Sequence, residues 1–513
     1  MKRIVRPDMT RRGSRWGLGI CVTWAIVLPA SAVVPDDPPQ GVFDDGWYVV
    51  KMQDRKSGYM HSTTRRIGDE IHTQVNMQIE IARGSSTVKI RQDQSYRETL
   101  SGMPLAFRHT TTMGSMPVTR TGTVKDGRLT LDTDQVGGRR VETYDFDPEV
   151  RFAWGQLLEQ RKHGLTPGSN FRVKIYEPDL KLDGPIDVVY TVHDKQSIDV
   201  LGHQRKLTRV TTTMQLAIPL ASESWVDDDA TPIVTTIDMG IISVQMFRST
   251  EAEALKDSEA PEMFLRLFVS AQQRIDADAR RVRLRLTLPD DAEALPSLPS
   301  TGMQTVQRIS DHEAILTIRR LDWDAIRKVQ DGEKTDASLA AYLQSSAILN
   351  TADRRIRRLA RRGTRDAATP ADKADALRRF VTKYVKNKSL DIGFATASEV
   401  AKTREGDCTE HGVLLAALAR AAGLPARGVS GIVAVPQGPL APAHGTTFGY
   451  HMWTQVNIGG EWVDIDAAMR QTDCDPTHIA IALMPLNQEG MVDSVLSLLP
   501  LLGKLQIEVL SVN

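Results

Sequence analysis

The chain has 513 residues, more than one hydrophobic core organises, so two or three domains are expected. Charged residues make up 25% and hydrophobic residues 41%, an ordinary globular balance. Lys+Arg and Asp+Glu both number 64, which excludes a global field steering the chain toward nucleic acid or anionic membrane.

Residues 1–32 have the pattern of a signal peptide. Lys2, Arg3, Arg6, Arg11, Arg12 and Arg15 precede an apolar run from Trp16 to Leu28. Ala30-Ser31-Ala32 then offers small residues at the spacing a signal peptidase accepts. A periplasmic or secreted protein is expected, or a membrane-anchored one if the segment stays uncleaved. The run is short for a bilayer span, and no later segment is long and apolar enough. Residues 33–45, rich in Pro and Asp, read as a linker.

Residues 46–260 predict an antiparallel β-rich domain. From Gln74 to Ile81 apolar and polar residues alternate strictly, with Val75, Met77, Ile79 and Ile81 on one face. The pattern recurs near Val88–Tyr96, Phe171–Tyr176 and Leu207–Met214, with turns at Lys125-Asp126-Gly127, Gly137-Gly138 and Asp183-Gly184. One helix is expected near Val150–Glu159. A second β-rich region covers 261–330. From about 337 the chain switches to helical periodicity, and residues 337–513 are expected to form one further domain. There Thr369 and Pro370 start a helix with the stripe Leu377, Phe380, Val381, Tyr384. Seven arginines between Arg354 and Arg365 read as one solvated helix face, or as a contact for phosphate, lipid headgroups or an acidic polymer.

Outside the signal segment only Cys408 and Cys474 remain, too few for a disulfide framework. A helix is predicted to start at Cys408, with Val413, Leu414, Ala417, Leu418 and Ala421 on one face and Gly423 and Pro425 at its end. A thiol there meets the N–H groups and positive dipole of the helix start, which favour the thiolate and could receive an oxyanion. The expected titration therefore lies below that of an ordinary thiol. A nucleophilic sulfur also needs an imidazole, and His451 opens the strand Tyr450–Ile458. Gly459-Gly460 turns that strand back into Glu461–Asp466. A two-residue turn would set Ile458 opposite Glu461 and Trp453 opposite Asp466, one diagonal step from His451. Asp464 lies two residues too far, so Asp466 is the expected orienter of His451.

Four features together resemble the transglutaminase-like superfamily. They are Gly406-Asp407-Cys408, the helix end Ala421-Ala422-Gly423-Leu424-Pro425-Ala426-Arg427, the strand with His451-Met452-Trp453, and the hairpin from Gly459-Gly460 to Asp466. The resemblance covers about residues 370–475. It implies an α+β fold: a large antiparallel strand-rich N-terminal region followed by a papain-like, transglutaminase-like α+β core. It also implies Cys408, His451 and Asp466 as nucleophile, base and orienter, with no cofactor. A protein or peptide substrate is expected, with no nucleic acid and with cell-envelope association as an option. Hydrolysis of an amide through a thioester is the first expectation. An amine-transferring cross-linker, or a non-catalytic envelope binding or assembly protein, are the alternatives.

Other readings of the same residues stay open. Cys408 and Cys474 could form a disulfide. Cys408 with His411, and Cys474 with His478, mimic zinc-ligand spacing but leave His451 and Asp466 unexplained. His411 could itself be the base, or a packing residue beside the site. His444 reads as a loop residue at a cleft rim, and Trp453 and Trp462 as cleft wall or sheet core.

Overall fold

The computed structural model describes residues 37–513 except 84–85, 114–115, 136–137, 217–218, 239–242, 262–267, 293, 330–336, 347, 387–394, 436–444 and 487–496. The signal segment 1–32, Gly137 and His444 lie outside the described residues.

Fifteen strands make one sheet. They are β1 (Gly41–Met52), β2 (Arg55–Ile67), β3 (Glu70–Arg83), β4 (Ser86–Thr99), β5 (Pro104–Met113), β6 (Met116–Lys125), β7 (Arg128–Gln135), β8 (Gly138–Asp145), β9 (Val150–Arg151), β10 (Asn170–Ile175), β11 (Ile186–Val200), β12 (His203–Met214), β13 (Leu220–Val226), β14 (Pro232–Asp238) and β15 (Ser243–Ser249). The spatial order is β8 to β1, then β15 down to β9. Neighbours pair antiparallel, apart from the parallel β9–β10 contact. Alternation explains the sheet's two faces. Val75, Met77 and Ile79 of β3 are buried on one side with Tyr48, Val50, Tyr96, Phe107, Leu129 and Leu131. Tyr176, which follows β10, joins the same cluster although β10 lies near the far end of the sheet. The sheet therefore curls until distant strands share one interior.

Two boundaries differ from the sequence reading. Gly41–Asp45, read as linker, belong to β1: Gly41 pairs with Arg66 and Asp45 with Thr63. The backbone groups of β2 recruit this segment whatever its side chains are. The helix expected near Val150–Glu159 is α1 (Ala153–His163), and Val150–Arg151 are extended instead. Its N-cap residue Phe152 makes no side-chain cap. Glu98 of β4 supplies one from across the fold, accepting from Trp154 and Gly155 N–H at 2.8 Å each.

Beyond α2 (Glu251–Ala254) come β16 (Phe268–Ala271), β17 (Arg281–Thr287), β18 (Gln304–Arg308), β19 (Glu313–Arg319) and α3 (Trp323–Ile326). Then follow α4 (Arg354–Gly363), α5 (Pro370–Tyr384), α6 (Ala397–Thr403), α7 (Cys408–Ala421), β20 (Ala426–Ala434), β21 (Thr446–Ile458), β22 (Glu461–Ile465), β23 (Ile479–Met484) and β24 (Gln506–Val512). One sheet runs β16-β21-β20-β23 with β22 also on β21, and the other runs β18-β19-β17-β24. A single apolar cluster extends from Val269 to Ile507 and includes Leu284, Leu316, Leu377, Leu415 and Ile465. The expected split between 261–330 and 337–513 therefore does not divide the packing. β16 pairs with β21, and the final strand β24 pairs with β17.

Helix α5 has Thr369 as its N-cap, in a capping box with Asp372. The seven arginines around α4 are exposed, while Ile356, Leu359 and Ala360 face the core. That is the solvated face of an amphipathic helix.

Candidate active site

The segment Gly406-Asp407-Cys408 is shaped by its own capping chemistry. Asp407 Oδ1 accepts from Thr409 N–H at 2.9 Å, and Glu410 Oε2 folds back to accept from Asp407 N–H at 2.9 Å. Glu410 Oε1 also accepts from Ala395 N–H at 3.0 Å. The returning Glu410 side chain passes over Gly406, whose φ is +142°; a Cβ there would lie 2.2 Å from Glu410 Cβ. Glycine is thus required at 406, and Cys408 becomes the first residue of α7.

Helix α7 packs on β21. Thr454 Oγ1 donates to the Gly412 carbonyl at 3.0 Å. The Met452 backbone N–H, one residue past His451, points to the Cys408 sulfur. Nucleophile candidate and imidazole strand are therefore in direct contact.

The hairpin has the expected register, with Ile458 opposite Glu461 and Thr454 opposite Ile465. Gly459 and Gly460 have φ of 62° and 92°, as a two-residue turn with positive φ demands. The ladder ends at Ile465. Asp466 turns away and pairs its backbone with Gln471 at 2.7 and 2.8 Å. Its Oδ1 accepts from Met469 N–H at 2.7 Å, and its Oδ2 accepts from His451 Nε2 at 2.6 Å. Asp464 is not near His451 in this network. It accepts from Trp453 Nε1 at 2.6 Å and from Gln455 Nε2 at 3.0 Å.

A further residue, His478, shares Asp466. Its Nε2 lies 3.3 Å from Asp466 Oδ2, and its Nδ1 lies 3.1 Å from the Asp475 carbonyl. In the sequence His478 stood out only through its spacing from Cys474. No local pattern links it to Asp466, because β23 arrives beside Asp466 through the sheet. Burial pushes the Asp466 carboxyl up, but His451 and His478 together hold it well below the usual carboxylate range. Burial would lower the His478 imidazole, yet Cys474, Asp466 and Asp475 raise it well above its ordinary value.

Cys408 departs from the expected titration. Burial, followed by the charge of Asp407, pushes its thiol well above the ordinary value, with Glu410 and Asp466 adding to the rise. The Met452 N–H works the other way and is outweighed. Burial likewise pushes the Cys474 thiol up to about 12. The two cysteines share no disulfide. His411 Nδ1 donates to the Asp407 carbonyl at 2.6 Å, which ties it to the first turn of its own helix. Trp453 is 1% exposed, packed on Val429 and Ala480 as sheet core rather than cleft wall. Its ring lies over Gly431, where a Cβ would come within 2.7 Å of it. Trp462 is half-buried beneath the Arg427 guanidinium, 3.9 Å from its ring centre.

Residues 357–467 match the transglutaminase-like superfamily. No curated protein matches the chain. Among solved structures, a β-barrel-like protein of a domain of unknown function from Brucella abortus is 13% identical, with a TM-score of 0.33 over 41% of this chain and 97% of that one. A candidate cysteine protease from Cytophaga hutchinsonii is 15% identical, with a TM-score of 0.31 over 47% of this chain and 88% of that one. The periplasmic domain of TgpA from Pseudomonas aeruginosa is 17% identical, with a TM-score of 0.26 over 40% of this chain and 83% of that one. Among the described residues no helix is long and apolar enough to cross a membrane.

Proposed function

We propose, from the premise that residues 357–467 form a transglutaminase-like core, that this chain is a thiol-dependent acyl-transfer enzyme hydrolysing amide bonds in a protein or peptide substrate. Cys408, His451 and Asp466 are the proposed catalytic residues. The observation that carries the reading is the 2.6 Å bond from His451 to Asp466, on a strand whose next residue contacts the Cys408 sulfur. With Nε2 bonded to Asp466, Nδ1 is the His451 nitrogen that would exchange a proton with the thiol.

Because the Cys408 thiol is held protonated, His451 removes its proton as the sulfur attacks the substrate carbonyl. The imidazolium, stabilised by Asp466, then protonates the leaving amine, and a thioester remains. Water, deprotonated by His451, attacks the thioester; the acid departs and the thiol regains its proton. Thr409 N–H is spent on Asp407, so the Cys408 N–H is the first-turn donor proposed to face the oxyanion. An amine in place of water would make the same centre a cross-linker.

One observation favours a non-catalytic binding or assembly role instead: Cys408 is only 4% exposed, with its thiol pushed up. The exported protein should be incubated with a peptide library, with and without a primary amine, and products read by mass spectrometry. Cleaved peptides support the hydrolase, and amine-linked peptides the cross-linker. Cys408→Ala should abolish either product. Asp466→Asn and His451→Ala should lower kcat by roughly 10²–10⁴. No covalent product from the wild type, or unchanged rates in Cys408→Ala, would remove the catalytic reading. A periplasmic or secreted location, where envelope proteins or peptides are the available substrates, belongs to the same proposal.

A further inference from the structure

The interior of the curled sheet holds a polar row within an apolar lining. Gln94 of β4, His109 of β5 and Arg120 of β6 stand directly opposite one another across adjacent strands. The segment between β10 and β11 brings Glu177 and Asp179 onto this row from the other side of the curl. All five side chains are buried. His109 is 1% exposed, with the rings of Tyr96 and Phe107 edge-on at 5.1 and 5.2 Å, and neither of its nitrogens makes a hydrogen bond. Gln92 Nε2, on the residue opposite Thr111, is also buried without an acceptor. Buried polar atoms left without partners are costly, and these three, on two side chains of one sheet face, require an explanation.

We propose that His109, Glu177 and Asp179 bind a divalent transition-metal ion of the zinc class. Each offers one ligand atom, and these atoms all lie within 4.8 Å of one another. His109 Nδ1 and Glu177 Oε1 are 3.4 Å apart, too long for a good hydrogen bond. Two ligands at ~2.0–2.1 Å from a tetrahedral ion stand about 3.3 Å apart, which matches that gap. The nitrogen ligand disfavours calcium and magnesium, which take oxygen donors. Outer partners of the kind that orient metal ligands are present. Arg120 donates to Asp179 Oδ1, Thr111 Oγ1 donates to Asp179 Oδ2 at 3.1 Å, and the Asp179 N–H donates to Glu177 Oε1 at 3.1 Å. A carboxylate has about four lone-pair sites, so these bonds leave room for an ion. Two carboxylates against one guanidinium leave an excess negative charge that a cation balances. Three protein ligands leave a fourth tetrahedral position for water.

The rival arrangement is the same cluster closed on itself, with His109 packed against Glu177 and no metal. The test uses the full chain carrying Cys408→Ser and Cys474→Ser, so that neither thiol contributes. Equilibrium dialysis with Zn²⁺ should give one ion per chain. His109→Ala and Glu177→Gln in that background should weaken binding at least tenfold. Co²⁺ in the same protein should show ligand-field absorption without a sulfur charge-transfer band. No Zn²⁺ bound by the double-serine protein, or equal binding after His109→Ala, would overturn the proposal. If His109→Ala fails to fold, the Co²⁺ spectrum of the double-serine protein decides alone: absence of ligand-field absorption overturns the site.

Discussion

Cys408 experiences opposed forces of unequal size. A helix start stabilises an anion by about 0.3–1 kcal/mol, and by up to ~2 kcal/mol when partly buried. Burying a charge costs several kcal/mol, and Asp407, Glu410 and Asp466 add repulsion. Burial wins, and the thiol rests protonated. The folded state favours that protonated form, so the associated stability is complete below the ordinary thiol value and is lost as pH rises above it. Iodoacetamide labelling of Cys408 should therefore show a midpoint above the ~8.5 of an ordinary thiol. A midpoint below that value would mean that the helix start or His451 dominates. The cysteine's place at the helix start was legible in the sequence. Its burial was not, because that depends on β21 and on the carboxylates that gather around the sulfur.

At the level of elements, two N-termini are capped by different means. Helix α7 carries its own capping box, which forces glycine at 406. Gly406→Ala should place a Cβ against Glu410, open the box and destabilise the chain by roughly 1–3 kcal/mol. Denaturant titration of the variant should reveal the loss, together with slower peptide cleavage. Helix α1 borrows Glu98 from β4. Burial pushes the Glu98 carboxyl up to about 8, although the Trp154 and Gly155 N–H groups pull it down. A raised folded value favours the protonated form. The stability it contributes is full below the ordinary value near ~4.3 and is lost as pH climbs to about 8. Hydrogen exchange at the start of α1, corrected for intrinsic rate, should lose protection over that range in the wild type. Glu98→Gln should flatten the dependence; an unchanged slope would assign it to another group. The hairpin and the α7 box were readable because their partners lie within a few residues. The α1 cap was not, since Glu98 and Trp154 are joined only by folding.

For the molecule as a whole, the apolar cluster from Val269 to Ile507 ties the second β-rich region to the helical segment. A fragment of residues 337–513 would lack β16 and β17, leaving β21 and β24 without those neighbours. It should be insoluble or molten, whereas residues 268–513 should unfold cooperatively. A well-dispersed NMR spectrum from the shorter fragment would contradict this view of the core. The large sheet shows the same logic. Alternation marked its strands one by one, while its curl, and the meeting of His109 with Glu177 and Asp179, arose from strands far apart in sequence.

The amino-acid sequence alone determined what local periodicity and short-range geometry can encode: alternating strands, the capped helix at Cys408, and the two-glycine turn that aligns His451 with Asp466. The tertiary structure alone decided how exposed the sulfur is, that His478 shares Asp466, that Asp464 serves Trp453, and which strands close one core. Those outcomes depend on burial and on contacts between distant segments, which side-chain spacing along a chain does not specify.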